Sequence, residues 1–212
     1  MTFLQRIRRP FRYVDGHATL VLLGVNVLVF ALTSLREEAG IYLALIPGAV
    51  LEAGWVWQPF TYMFVHAGAS HLFFNMLGLF FFGTAVERAL GSREFTLFYL
   101  LTGTLAGLFS LAAFALGGAM YTPLVGASGA VYAVLLAFAV INPRAIIHIW
   151  GILPVPAPIL VAGYTVIELW SEIFGRGGNV AHLTHLAGFG FAILYFFLRL
   201  GVNPFRRLVS GR

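Results

Sequence analysis

Long runs of apolar residues, separated by short polar segments, make up most of the 212-residue chain. Their lengths predict six membrane helices, near residues 18–34, 68–88, 94–116, 128–142, 157–174 and 181–200. The fourth run is too short to cross a bilayer, because from Ser128 to Ile141 it covers about 20 Å, against a hydrocarbon core of roughly 30 Å. The pattern therefore predicts that Ser128 lies about 10 Å below one membrane surface.

The composition agrees with this pattern and narrows the class of protein. Hydrophobic residues form 60% of the chain and charged residues 10%, so we expect an all-α polytopic membrane protein without a separate aqueous domain. The absence of cysteine excludes a disulfide, a thiolate nucleophile and a cysteine-ligated metal. The net charge of +5 comes from arginines at predicted helix ends, so it indicates membrane topology and not nucleic-acid binding.

The placement of arginine predicts the orientation of the chain. Arg36 and Arg176 fall on one side of the predicted membrane, whereas the other side carries Arg6, Arg8, Arg9, Arg12, Arg88, Arg93, Arg144, Arg199, Arg206, Arg207 and Arg212. We therefore expect a multi-pass protein of the plasma (inner) membrane with both termini in the cytoplasm and Ser128 towards the extracytoplasmic face. The expected divisions are a basic segment at 1–17, a membrane domain at 18–200 and a basic tail at 201–212.

Two longer connections join the predicted helices. Residues 35–67 are semi-apolar, and we expect them in the outer leaflet with Trp55, Trp57 and Tyr62 at the membrane interface. The segment that follows Pro143 is broken by Pro154, Pro156 and Pro158, and we expect it to form a loop at the cytoplasmic interface.

Four polar side chains are expected in the outer half of the membrane: His71 and Asn75 on the second helix, Ser128 on the fourth and His185 on the sixth. Polar groups at that depth are costly and tend to face one another or a water-filled cavity. A serine becomes nucleophilic when a base lies within hydrogen-bond reach, and histidine is the usual base near neutral pH. His71, Asn75 and the backbone N–H of Ser128 could stabilise an oxyanion. The set predicts a serine–histidine dyad.

The acidic residues do not call for a third member of this dyad. The only aspartate, Asp15, is predicted on the cytoplasmic side, which excludes a Ser-His-Asp triad. Glu168 and Glu172 could orient a histidine, but nothing in their spacing requires it, and both are expected at head-group level. Tyr132 lies four residues after Ser128 on the same helix face and could pack under the histidine ring.

The motifs that contain the serine and the histidine resemble those of the rhomboid intramembrane serine proteases. G-A-S-G at 126–129 resembles the family's G-x-S-G, which implies that Ser128 is the nucleophile. H-L-A-G at 185–188 resembles the H-x-x-G of the last helix, which implies that His185 is the base. His182 competes for that role, but only His185 has a glycine three residues later.

Further positions extend the resemblance. H-L-F-F-N at 71–75 resembles the H-x-x-x-N of the second helix, which implies that His71 and Asn75 help to form the oxyanion hole, and Tyr132 matches the tyrosine that stacks on the catalytic histidine. The supporting glycines of the motifs are expected to allow a close approach of another helix or of a substrate backbone; they are Gly126, Gly129 and Gly188.

Three residues depart from the rhomboid pattern. Gln58 follows Trp57 where the family often has arginine, Thr184 precedes His185 where alanine is usual, and Ala192 stands in place of the second glycine of the last helix. We therefore expect local differences in the first loop and in the packing of the sixth helix.

The resemblance implies a six-helix rhomboid-like bundle with a short central fourth helix. It also implies a serine endopeptidase that needs no cofactor or metal and cleaves transmembrane segments of other membrane proteins. Its partners would be transmembrane substrates and membrane lipid, and the sequence leaves the oligomeric state open. The fifth helix and its outer loop, Gly175–Asn179, would move to admit the substrate laterally.

Two other functions remain open at this point. The first is a catalytically silent rhomboid-like protein that binds transmembrane helices, although both the serine and the histidine are present. The second is a metal-dependent membrane protein that uses His66, His71, His182 and His185. The chain has no H-E-x-x-H motif, which disfavours the metal hypothesis.

Overall fold

The computed structural model describes residues 5–210 except 6, 10, 150 and 175–180. In chain order its elements are α1 (Ala18–Leu35), α2 (Glu37–Leu43), α3 (Pro47–Leu51), α4 (Gln58–Thr61), α5 (Ala69–Leu90), α6 (Ser92–Leu116), α7 (Ser128–Ile141), β1 (Ile146–Ile149), β2 (Leu153–Pro156), α8 (Ala157–Phe174), α9 (Ala181–Tyr195) and α10 (Pro204–Ser210). Single π-helical turns lie within α5 and at the end of α9, over Leu79–Gly83 and Phe196–Leu200. The predicted Arg6, Arg176, Arg212 and the moving loop Gly175–Asn179 lie outside the described residues.

The six predicted membrane helices are confirmed as α1, α5, α6, α7, α8 and α9. Five of them are long and apolar enough to cross a membrane, and α7 is the shorter apolar helix. Its side chains are apolar on every face, which is the pattern of a helix buried on all sides. It packs against α5, α6, α8 and α9, so the shortest of the six membrane helices lies at the centre of the bundle.

Buried carboxylates form hydrogen bonds between helices at the end of the bundle opposite Ser128. Glu87 on α5 accepts hydrogen bonds from the backbone N–H groups of Ala18 (2.7 Å) and Thr19 (2.8 Å) at the start of α1. It also accepts one from the hydroxyl of Ser92 (2.5 Å) on α6. Each of these polar groups is thereby satisfied inside the protein, as burial in an apolar environment demands.

The ends of α6 and α9 are joined at the same side of the bundle. Both carboxylate oxygens of Glu94 pair with the Arg199 guanidinium at 2.8 Å, and the hydroxyl of Tyr195 donates a further hydrogen bond to Glu94. A two-point pairing of this kind fixes orientation as well as distance. It therefore anchors α9, the helix that carries His185.

The first loop is folded onto the bundle and corrects one expectation. Trp55 and Trp57 are half-buried and stacked on each other, with ring centroids 5.8 Å apart. Tyr62 is not at the interface, because it is fully buried and its hydroxyl donates to the carbonyl of Gly103 (2.8 Å) on α6. Its hydroxyl satisfies a backbone carbonyl, and burial raises the pKa of the phenol.

Gln58 takes the place that arginine often holds in the family and is fully buried. Its side-chain carbonyl accepts a hydrogen bond from the Ile46 N–H (3.0 Å), and its amide donates to the carbonyls of Ile41 and Tyr42, both at 3.3 Å. One neutral side chain therefore connects three backbone groups of the first loop.

The proline-rich connection after α7 contains a β-hairpin, which the sequence analysis did not predict within the expected loop. Strands β1 and β2 pair antiparallel, with Ile146 opposite Pro156 and Ile149 opposite Leu153. Proline is tolerated here because a two-stranded ribbon consists of edge strands, where some N–H groups need no partner. Gly151 lies between the strands with φ of 70°, a conformation that glycine adopts readily.

Candidate active site

Ser128 and His185 are hydrogen-bonded to each other. The Nε2 atom of His185 lies 2.7 Å from the Oγ atom of Ser128. Ser128 is the first residue of α7, and His185 lies in the second turn of α9. Both side chains are half-buried. A serine hydroxyl at this distance from an imidazole nitrogen has the geometry needed for proton transfer.

Two glycines allow α7 and α9 to come together at this point. A Cβ atom on Gly188 would overlap the backbone carbonyl of Gly129. A Cβ atom on Gly129 would in turn lie 3.0 Å from Thr184 and 3.2 Å from Ala106. Glycine at both positions therefore sets the spacing of the two helices, as small residues do elsewhere in membrane bundles.

The departure at Thr184 has a partner across the helix interface. Its hydroxyl lies 2.7 Å from the hydroxyl of Ser110 on α6, and both residues are buried. Ala192, the other departure on α9, is fully buried in the core. The helix thus accommodates the two residues by a polar contact and by close packing.

Tyr132 supports the histidine as the spacing predicted. Its ring stacks on the imidazole of His185, with centroids 4.2 Å apart and an interplanar angle of 12°. The stack restrains the plane of the imidazole, so the His185 ring nitrogen stays directed at the hydroxyl of Ser128.

Glu168 contacts both histidines of α9, an arrangement that its place in the sequence allowed but did not require. It is 4% exposed and therefore does not lie at head-group level, whereas Glu172, one turn further along α8, is exposed. Its Oε1 atom lies 3.0 Å from Nδ1 of His185 and accepts a hydrogen bond of 2.5 Å from the hydroxyl of Tyr132. Its Oε2 atom pairs with Nδ1 of His182. The sequence predicted a serine–histidine pair alone, and the structure adds a carboxylate in contact with the histidine of that pair.

A signal for Glu168 was present in the sequence. Ala157, Val161 and Glu168 are the buried residues of α8, and their spacing of four and then seven places them on one helix face. A carboxylate on the apolar face of a membrane helix indicates a polar partner inside the bundle. The two histidines of α9 were the available partners.

His71 lies beside the serine. The Cβ position of Gly126 is 2.7 Å from Cε1 and 2.8 Å from Nε2 of the His71 ring, so any larger residue at position 126 would displace the ring. Gly126 has φ of 121°, which side chains other than glycine rarely adopt. Asn75 is buried and its amide donates to the backbone carbonyl of His71 (2.9 Å), one turn earlier in α5.

Backbone hydrogen bonds hold the segment that leads into Ser128. Leu45 and Leu124 exchange two hydrogen bonds of 2.8 and 3.0 Å, and the Gly126 N–H donates to the carbonyl of Tyr62 at 3.0 Å. The first loop therefore supports the backbone immediately before the serine. His66, in the same loop, is buried, and burial lowers its pKa to about 4.

The histidines of the metal hypothesis do not form one cluster among the described residues. The group whose possible ligand atoms all lie within 4.8 Å consists of Glu168, His182 and His185. His66 and His71 instead lie against each other, with ring centroids 5.2 Å apart. The competing base His182 contacts the carboxylate, and His185 contacts the serine.

The fold and this cluster define a polytopic helical membrane protein with a serine and a histidine paired at the start of its short central helix. The family model of the rhomboid domain matches residues 53–201, which include every residue of the cluster. The chain belongs to the rhomboid family.

The curated relatives carry rhomboid names from several kinds of organism. The chain is 32% identical to the mitochondrial Rhomboid protein 1 of Saccharomyces cerevisiae, covering 88% of this chain and 55% of that one. It is 29% identical to Rhomboid protease GlpG of an Enterobacter species, covering 81% of this chain and 60% of the other. It is 33% identical to Rhomboid protease GluP of Bacillus subtilis, covering 55% of this chain and 23% of the other. The chain thus spans a little over half the length of the first two of these relatives.

Proposed function

We propose that this protein is an intramembrane serine endopeptidase that cleaves transmembrane segments of other membrane proteins. The observation that carries the proposal is the 2.7 Å contact between Ser128 Oγ and His185 Nε2 at the start of a helix too short to span the membrane. Membership of a family whose members include named proteases supports the same conclusion.

In the first half of the reaction, Ser128 Oγ attacks the carbonyl carbon of the scissile peptide bond. His185 Nε2 accepts the hydroxyl proton as the new C–O bond forms. The tetrahedral intermediate then collapses with cleavage of the C–N bond, and His185 returns the proton to the leaving amine. The product is an ester between Ser128 and the N-terminal part of the substrate.

In the second half, a water molecule takes the place of the leaving amine. His185 removes a proton from this water, the oxygen attacks the ester carbonyl, and the Ser128 oxygen leaves with that proton. The products are a carboxylic acid, an amine and the free enzyme. The reaction requires water beside the serine, which agrees with the partial exposure of Ser128 and His185.

The negative charge on the substrate oxygen needs hydrogen-bond donors. The N–H of Ser128 is one such donor, since the first N–H groups of a helix have no acceptor within the helix itself. The imidazole of His71 lies against Gly126, two residues from the serine, and we assign it and the amide of Asn75 to the same oxyanion site. Asn75 would have to release its bond to the His71 carbonyl when substrate binds.

The substrate class follows from the position of the site in the bundle. A transmembrane helix of another protein would approach from the lipid, and small residues near the cleavage point would let its backbone unwind towards Ser128. We assign the Ser128 end of the bundle to the extracytoplasmic side and both termini to the cytoplasm, on the arginine distribution alone. Residues 18–200 would form the membrane domain between two basic terminal segments.

The proposal is tested with purified protein and a reporter transmembrane helix in detergent or in liposomes. The parent should release two fragments, and mass spectrometry should locate one cut within the reporter. The Ser128→Ala variant should cleave at least about 10³-fold more slowly, while Ser34→Ala, a change at an exposed serine of α1, should match the parent. Equal cleavage by the Ser128→Ala variant, or none by the folded parent, would overturn the proposal, and the second result would favour a silent helix-binding protein.

A further inference from the structure

Glu168 is a buried carboxylate with three polar partners on two neighbouring helices. Its side chain is 6% exposed, and it contacts Tyr132 on α7 and both His182 and His185 on α9. Burial of a carboxylate is costly unless every lone pair finds a donor. An apolar residue at this position could hold the helices together without the cost of burying a charge. The presence of a carboxylate therefore indicates a role that needs the charge.

The carboxylate and the serine lie on opposite edges of one imidazole ring. Glu168 Oε1 is 3.0 Å from Nδ1 of His185, and Nε2 of the same ring is 2.7 Å from Ser128 Oγ. An ionised carboxylate only accepts hydrogen bonds, so it selects the form of the ring in which Nδ1 carries the proton. That form leaves the lone pair of Nε2 directed at the serine hydroxyl.

We propose that Glu168 is the positioning residue of a Ser128–His185–Glu168 triad, in which Tyr132 and His182 hold the carboxylate in place. The inference rests on the proposed function, and it extends that function from two residues to three. The carboxylate fixes the tautomer of His185 and stabilises the imidazolium that forms when Ser128 gives up its proton. Glu168 itself stays ionised and takes no proton.

The distances favour hydrogen bonds over a shared metal ion in this cluster. Two ligands of a tetrahedral zinc ion lie about 3.3 Å or more apart, since each ligand is roughly 2.0–2.1 Å from the metal. Glu168 Oε1 lies 3.0 Å from Nδ1 of His185, and Glu168 Oε2 pairs directly with Nδ1 of His182, so both contacts are closer than two ligands of one zinc ion would be.

The Glu168→Gln variant separates the charge from the packing. Glutamine has the same shape, and its carbonyl oxygen can still accept from Tyr132 and His185 while its amide faces His182. We expect kcat to fall by about 10- to 100-fold, with KM within about 3-fold of the parent. Glu168→Asp, which keeps the charge on a shorter side chain, should recover part of the lost kcat. The control is Glu172→Gln, at an exposed position on the same helix, which should match the parent.

The pH profile gives a readout that a purely structural role would not change. Several polar groups surround His185 on α9. Glu168 on α8 and Ser128 on α7 contact its two ring nitrogens, and Tyr132 on α7 stacks on the ring. His182 on the same helix lies edge-on to the ring, and His71 on α5 interacts with it electrostatically. Among these groups, only Glu168 is an acid that stays negatively charged near neutral pH. Without its charge, the imidazolium that forms when Ser128 gives up its proton is less stable. The acidic limb of kcat/KM should therefore move down by about one pH unit in Glu168→Gln.

The outcomes distinguish this inference from the proposed function. If the parent cleaves, Ser128→Ala does not, and Glu168→Gln retains the kcat and pH profile of the parent, the triad is wrong while the protease stands. A rise in KM with no change in kcat or in the acidic limb would likewise reduce Glu168 to a helix contact. Loss of parent activity on chelation, with recovery on addition of zinc, would also overturn the inference. If the folded parent does not cleave, the proposed function fails first.

Discussion

Gly188 on α9 lies so close to Gly129 on α7 that a single added carbon would overlap the Gly129 carbonyl. Each glycine is close in sequence to a member of the proposed dyad: Gly129 directly follows Ser128, and Gly188 comes one helical turn after His185. The 2.7 Å contact between the serine and the histidine therefore depends on the distance between two helix backbones. The proposed catalytic pair therefore lies at the same interface that packs α7 against α9.

We predict that Gly188→Ala lowers kcat/KM by about 100-fold or more. The new methyl group forces α7 and α9 apart, and a displacement of about 1 Å is enough to cost a factor of this size. The melting temperature should fall as well. The control is Gly190→Ala, because a Cβ atom at that exposed position meets nothing within 4 Å. Unchanged activity in Gly188→Ala would mean that the helices can move apart without separating the two side chains.

Removal of the Gln58 side chain should destabilise the first loop. Gln58→Ala deletes three hydrogen bonds and takes from the Ile46 N–H its Gln58 acceptor, whereas the Tyr42 carbonyl keeps its bond from the Trp57 indole N–H. We expect the free energy of unfolding to fall by about 2–3 kcal/mol, measured by denaturant titration in detergent. Val56→Ala, at a side chain that is 75% exposed, is the matched control. Equal stability of Gln58→Ala and Val56→Ala would rule out a structural role for Gln58.

His66 should make the protein less stable in mild acid. Burial lowers its pKa to about 4, so between pH 6.5 and 4 the unfolded chain binds a proton that the folded chain does not. Stability must then fall as the pH drops through this window, by about 2 kcal/mol from this residue at pH 5.

The measurement is the loss of stability between pH 7 and pH 5, which should be smaller in His66→Gln than in the parent. His148→Gln changes an exposed histidine of the hairpin and should lose as much stability as the parent does. An identical pH dependence in the His66→Gln variant and the parent would show that His66 titrates normally in the folded protein.

The sequence predicted much of the architecture because membrane helices are encoded locally. Each long apolar run had to become a helix, and the run from Ser128 to Ile141 was visibly too short to cross the bilayer. The structure also brings Ser128, Tyr132 and His185 together, as the motifs implied, although their catalytic roles stay predictions until activity is measured.

The features that the sequence did not predict depend on contacts between distant segments. Glu168 is buried because the face of α8 that carries it packs against α9. The sequence of one helix does not specify which neighbouring helix that face will contact. The sequence around Tyr62 is typical of an aromatic residue at the membrane interface. Its burial depends on the packing of the first loop against Gly103 on α6. The hairpin was missed because its prolines are typical of loops, whereas a two-stranded ribbon has edges that accept them.

Labelling with a fluorophosphonate probe shows whether His185 activates Ser128, because the probe reacts with a serine only when a neighbouring base activates it. We expect that the parent is labelled, that mass spectrometry locates the adduct on Ser128, and that both Ser128→Ala and His185→Ala lose labelling by about 100-fold or more. Labelling of His185→Ala at the parent rate, or an adduct on any other serine, would contradict it.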